Sequence, residues 1–475
     1  MRARTNWILV AVALAAGAFA GWLIAAAVEL RPDPVRAALA AEPGATLPRA
    51  AATGVVHEVE LVAAPATLPL LDGRSLEVWA YDGQVPGPTL RARVGDTLRV
   101  RLRNQLPVPT TIHWHGIRLP NGMDGVPGVT QPAVEPGASF VYEFVLRDAG
   151  TFWYHPHLRG SEQVERGLHG ALVVEPADAP PPRELVWILD DWRLAASGQI
   201  DERFVTRHDL AHDGRWGQVT TVNGRVLPSF ELRAGEVTRL RLINAANGRV
   251  FAPDFTGFDA RVVAFDGVPV DAPLPAGRLE LAPGNRIDIE LRPRAEDAGR
   301  QLRIEDRFPR RAVGLAALDV VGAAQEEPWP QHRVAAAPVW ASAVDLAPDH
   351  VFDLDAARGG PDGIVWRIGG RAMLHGEDHG AHEPAATLHE GEWTKLRFVN
   401  RSGRLHPIHL HGQFFRVVAR NGRPAAEGHW RDTVLLRPRD VVDVALVPEE
   451  EGRWVLHCHV MEHHDAGMMT LVEVR

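Results

Sequence analysis

The sequence predicts an all-β protein made of three related β-sandwich domains, with one hydrophobic helix in front of them. Three observations carry this. Apolar and polar residues alternate, as in half-buried strands, at Leu76–Tyr81, TLRVRLR (97–103), EVTRLRLIN (236–244), RIDIELR (286–292) and EWTKLRFVN (392–400). Turn clusters such as DGQVPGPT and VEPGAS separate such runs. Finally, RVGDTLRVRLRNQLP (93–107), RAGEVTRLRLINAAN (233–247) and HEGEWTKLRFVNRSG (389–403) share one plan. Each reads glycine turn, acidic residue, alternating strand, asparagine. Repetition at about a domain's spacing marks related sandwiches.

Taken from the N-terminus, residues 1–30 form the hydrophobic segment. Arg2 and Arg4 precede Trp7–Val28, which carries no charge. That order fits a chain whose body is exported, the segment being an uncleaved anchor in a membrane or a signal cleaved near Ala25-Ala26-Ala27; a buried soluble helix is the third reading. No adjacent arginine pair precedes the apolar run, so the twin-arginine route is not indicated. Residues 31–52, rich in Ala and Pro, are expected to be a linker. The three sandwiches are expected at 53–178, 183–323 and 332–475, divided by the Pro-rich DAPPPRE and AAQEEPWPQ.

Composition narrows the function. The net charge is -9 and the body has no basic block, so nucleic acid is not an expected partner. One cysteine, Cys458, excludes an intrachain disulfide.

Four segments carry His-x-His: His113/His115, His155/His157, His409/His411 and His457/His459. On a strand, residues i and i+2 share a face, so each pair presents two imidazoles side by side. Neutral imidazole suits copper, zinc, iron and nickel. Cys458 then points to the opposite face, where it can meet His406 and His463. Two imidazoles and a thiolate, with a weak thioether from Met468, form a blue-copper set. The peptide beside Cys458 would join that site covalently to the histidine cluster. A buried, inert thiol is the plainer alternative for a lone cysteine.

The motifs HWHG (113–116), HPH (155–157), HPIHLHG (406–412) and HCHVMEHHDAGMM (457–469) resemble those of the multicopper oxidases. The likeness is to the three-domain bacterial type, which includes laccase-like enzymes and the periplasmic copper-efflux oxidase, and it covers about residues 55–475. The resemblance implies three cupredoxin-like Greek-key domains and about four copper ions per chain. It implies type 1 copper on His406, Cys458, His463 and Met468, and type 2 copper on His113 and His409. The type 3 pair would take His115, His155, His157, His411, His457 and His459. It also implies dioxygen as acceptor and a phenol, aromatic amine or metal ion as reductant. Asp124 and Glu462 match carboxylates that supply protons, and Asp432 a carboxylate near the type 1 histidines. The 6 methionines give little support to soft capture of Cu(I). His375, His379 and His382, beside Glu377 and Asp378, read as a solvated loop or a further metal site. Two other classes stand against an oxidase: a non-catalytic structural protein of the same fold, and a copper carrier or electron-transfer protein.

Overall fold

A computed structural model describes residues 33–70, 73–177, 183–323, 325–331, 340–374, 377 and 379–475. The hydrophobic segment 7–28 lies outside them. Among the described residues, no helix is long and apolar enough to cross a membrane.

The three repeated segments each build a central strand: Thr97–Asn104, Thr238–Asn244 and Thr394–Asn400. Their neighbours repeat as well. An earlier strand pairs parallel on one side: Val56–Leu70, Glu184–Trp192 or His350–Arg358. A later one pairs antiparallel on the other: Ser139–Val145, Arg286–Leu291 or Val441–Leu446. Inward residues on these strands are apolar, as with Leu98, Val100 and Leu102, each at most 1% exposed.

The asparagine closing each repeat explains its place there. Asn104 Nδ2 donates to the carbonyls of Val108 and Val134, Asn244 Nδ2 to those of Arg249 and Leu281, and Asn400 Nδ2 to those of Arg404 and Arg437. Each Oδ1 accepts from the amide two residues on, at Leu106, Ala246 and Ser402. One side chain thereby satisfies three backbone groups where the strand ends.

The second sheets also share one order. In the first unit it runs Leu90–Arg93, Gly170–Glu175, Gly150–His155, His113–His115. In the middle unit it runs Ser229–Ala234, Val313–Ala323, Gln301–Asp306, Pro253–Asp254. In the last it runs Ala386–Leu388, Met469–Val474, Gly452–Cys458, His406–Leu410, Thr433–Leu436. HWH and HPIHL therefore occupy equivalent strands. The middle unit has Pro253–Asp254 there and contributes no imidazole.

One apolar core runs without a break from Leu61 and Trp114 to Phe398 and Trp454, joining the first and last units. The middle unit has its own core around Trp187, Phe251 and Ile289. Part of the segment expected to be a linker is packed. Pro34–Ala40 is helical, capped by the Asp33 carboxylate. Leu39 is buried, Arg36 Nη1 meets Asp349 Oδ2 at 2.6 Å, and Trp340 Nε1 donates to the Leu39 carbonyl. Ala and Pro content hid the two apolar anchors, Leu39 and Leu47.

Candidate metal centre

Strand register brings the histidines together. His113 pairs with His155, and His409 with His457. The HxH pairs face one way, as period 2 requires: ring centroids lie 5.8 Å apart for His113/His115, 4.9 Å for His409/His411 and 5.5 Å for His457/His459. His155 and His157 both face His113, at 5.4 and 5.6 Å. All eight rings are buried between the first and last units. Gly116 ends the first motif at φ +87°, where a side chain would strike Arg286 and Asp432.

Within this cluster the ligand atoms form compact triads: His115, His155 and His459; His157, His411 and His457; and His113, His115 and His409. Most rings have one nitrogen held and the other left bare. Nδ1 donates to a carbonyl from His113 (to Asp124), His155 (to Pro156), His409 (to Asp432) and His457 (to Cys458), each at 2.9 Å. His115 reverses the pattern, with Nε2 on Asp432 Oδ1 at 3.2 Å. The nitrogens without a hydrogen-bond partner are then His113 Nε2, His115 Nδ1, His155 Nε2, His157 Nε2, His409 Nε2 and both of His459. His411 and His457 bring Nε2 to Nε2 at 3.1 Å, where two lone pairs repel unless a cation lies between them.

A buried polar atom without a partner costs about 1–3 kcal/mol. Six such rings in one chamber make sense if they face metal ions. The donor set is all imidazole, which suits copper. Burial, then the neighbouring rings, pushes His155, His157, His411 and His457 well below the ordinary histidine pKa. They are neutral at physiological pH, as ligation requires.

On the other face of the last strand, Cys458 Sγ lies 3.5 Å from His406 Nδ1 and 3.9 Å from His463 Nδ1. Their far nitrogens are taken: His406 Nε2 by Ser402 Oγ and His463 Nε2 by the His212 carbonyl, both at 2.8 Å. Both Nδ1 atoms are thus turned toward the sulfur. Burial, with Arg404 nearby, pushes His463 down to about 3. Burial also pushes the Cys458 thiol up, so a thiolate there needs a cation. Met468 is fully buried in the core cluster that contains Cys458, whereas Met469 packs in another cluster with Val126 and Leu471.

The carboxylates divide. Asp124 Oδ2 accepts from His411 Nδ1 at 2.8 Å, and its Oδ1 lies 3.2 Å from His113 Nδ1. Asp432 is not beside His406 and His463, nor at the surface. It is 1% exposed and meets His115, His409 and both terminal nitrogens of Arg286. Burial favours its neutral form, but Arg286 and the His409 hydrogen bond outweigh that and hold the carboxyl well below its ordinary range. Strand pairing turns it this way, since the Leu410 amide donates to its carbonyl.

Glu462 also departs from expectation. It bonds to the Arg215 amide and to Asn247 Nδ2, both at 2.9 Å, and to none of the imidazoles. Burial pushes its carboxyl up to about 7. His464, not singled out from the sequence, packs on His157 and His457 at 4.9 and 5.0 Å, and its Nδ1 meets Asp465 Oδ1 at 3.0 Å. Helix Met461–Asp465 explains the exchange: each residue turns by about 100°, so Glu462, His463 and His464 face three different partners.

His375 and Asp378 lie outside the described residues. His382 Nε2 meets Glu377 Oε2 at 3.1 Å, and His379 Nε2 bonds to the Leu374 carbonyl.

Comparison with known proteins agrees with this geometry. Family profiles described as multicopper oxidase match residues 63–179, 183–299 and 345–475. The multicopper oxidase MmcO of Mycobacterium tuberculosis is 30% identical, over 85% of this chain and 84% of its own. A copper resistance protein A homolog of Pseudomonas syringae is 25% identical, over 85% of this chain and 90% of its own. The crystal structure of a multi-copper oxidase from Pseudomonas thermotolerans superposes with TM-score 0.79 at 37% identity, covering 89% of this chain and all of that one. The chain belongs to the multicopper oxidase family and is a copper-dependent oxidase.

Proposed function

We propose that the enzyme oxidises a small aromatic reductant, one electron at a time, at the Cys458 centre and reduces dioxygen at the eight-imidazole cluster. His406, Cys458, His463 and Met468 would hold type 1 copper, and His113 and His409 type 2 copper. His115, His155, His157, His411, His457 and His459 would hold the type 3 pair. Copper supplies the redox chemistry: four one-electron oxidations release four protons, and dioxygen takes up four electrons and four protons to leave as two waters.

The remaining work falls to the chain. Cys458 is bonded covalently to His457 and His459, so one strand touches both centres. That observation carries the reading. Ser402 and the His212 carbonyl fix the tautomers of His406 and His463. Arg286 and Asp432 hold His115 and His409, and Asp124 holds His411 and His113. Asp124 is the carboxylate we assign to proton supply, because it touches two imidazoles of the cluster. Asp465 and His464 are a second route, since Asp465 lines a cavity of about 270 Å³ with Ser161 and its Oδ1 meets His464 Nδ1. For Glu462 we propose a structural tie to Arg215 and Asn247. An aromatic reductant is favoured over Cu(I) by the scarcity of methionine and by the Trp366 indole, which lies 4.9 Å from His406 and 4.4 Å from His463.

Copper content and oxygen uptake with a phenol test the reading. About four coppers per chain and phenol-dependent uptake are expected; a blue protein that consumes no oxygen would contradict it. We further propose export, from Arg2, Arg4 and the uncharged segment 7–28. Recovery of the protein in the cytoplasm after fractionation of its native cells would refute that.

A further inference from the structure

A cleft of about 760 Å³ opens over the Cys458 centre, and Trp366, Ser402 and Arg404 line it. Trp366, only 3% exposed, lies beneath it as the layer between the cleft and both imidazoles. The indole is fixed there, its Nε1 donating to the Leu210 carbonyl at 3.0 Å. Apolar walls come from Ala356, Ala357 and Ile364. A volume of this order admits a single substituted aromatic ring.

The rim is charged in one sense. Arg207, Arg358, Arg401 and Arg404 line the cleft with a single carboxylate, Asp355. Asp355 is occupied by Arg367, at 2.7 and 2.9 Å, and Arg401 by Asp353 at 3.0 Å. Arg207, Arg358 and Arg404 have no carboxylate partner among the described residues. They come from three separate segments: the helix Arg207–Ala211, the strand His350–Arg358, and the turn before His406. In a chain of net charge -9, three unpaired guanidinium groups around one cleft form a local positive field.

Resting on the oxidase reading above, we infer that this cleft selects aromatic reductants bearing a carboxylate or sulfonate. The ring lies in the cleft above Trp366, and the anionic substituent meets the guanidinium groups of Arg207, Arg358 and Arg404. Guanidinium binds such oxyanions through paired N–H donors. Because these groups sit near solvent, the attraction is modest and screened by salt.

The test compares three phenols that share one ring: 4-hydroxy-3-methoxyphenylacetate, its methyl ester, and 2-(4-hydroxy-3-methoxyphenyl)ethylamine. One methylene in the acid and ester, and two in the amine, separate the ring from the varied group, so the ring's oxidisability is nearly the same in all three. At low ionic strength KM rises from acid to ester to amine, by about threefold per step, and the differences collapse at high salt. In the double variant Arg207→Gln/Arg404→Gln, the KM of the acid rises about fivefold more than that of the ester, and Arg358→Gln alone shifts the ratio the same way. Equal KM values for the three phenols in the copper-loaded enzyme would overturn the inference. So would variants that raise acid and ester alike. If the loaded enzyme oxidises none of the three, the aromatic-oxidase reading itself fails.

Discussion

Asp124 and His411 stand 287 positions apart in the chain and 2.8 Å apart in space, carboxylate oxygen to ring nitrogen. The bond fixes which nitrogen of His411 faces the cluster, and it links the first unit to the last. It also sets the carboxylate against two imidazoles of the cluster, which is why we assign it to proton supply.

Asp124→Asn keeps an acceptor for His411 but cannot release a proton. Oxygen uptake should fall about 10- to 100-fold, most at higher pH, while copper content and blue absorption persist. Unchanged turnover across pH, measured with an oxygen electrode, would remove Asp124 from proton supply.

Glu462 gives a pH-dependent stability. Its folded pKa of about 7 lies above the ordinary carboxylate value of 4.5, so the fold favours the protonated form. The stabilisation is complete below the unfolded pKa and is lost as pH rises through about 7. In the copper-free protein, Glu462→Gln cannot lose a proton. The urea-unfolding free energy of wild type should therefore fall by about 3 kcal/mol relative to the variant between pH 4.5 and 8. A constant difference across that range would show that Glu462 is not the titrating group.

Asn244→Ala removes two donated bonds and one accepted bond at a buried strand end. A loss of about 2–4 kcal/mol in urea unfolding is expected. A loss under about 0.5 kcal/mol, the size of an ordinary surface change, would mean that the repeated asparagine is incidental.

The ligand pairs were legible in the sequence because period 2 is local: HWH, HLH and HCH each decide their own facing, and Cys458 must oppose its neighbours. The three repeats were equally local. Asp432 was not legible, because its neighbours are set by pairing with Leu410 and by Arg286, 146 positions away. The neighbours of Glu462 and the place of His464 were not legible for a different reason. Past His459 the backbone leaves the strand and enters a helix, and facing then follows 3.6 residues per turn. The packing of Pro34–Ala40 depends on Asp349 and Trp340, which no local pattern could reveal.

Cys458→Ser exchanges a thiolate for a weak ligand. The blue absorption should vanish, phenol-dependent uptake should fall to background, and one copper fewer should bind per chain. A retained blue band would place the type 1 copper elsewhere.

We propose that Cys458 and the eight imidazoles are two copper centres on one strand. Anomalous diffraction at the copper edge from copper-loaded crystals tests that directly. The expected map has one peak beside Cys458, His406 and His463, and three among the imidazoles of His113, His115, His155, His157, His409, His411, His457 and His459. A map with no peak at Cys458, or none within the imidazole chamber, would contradict it.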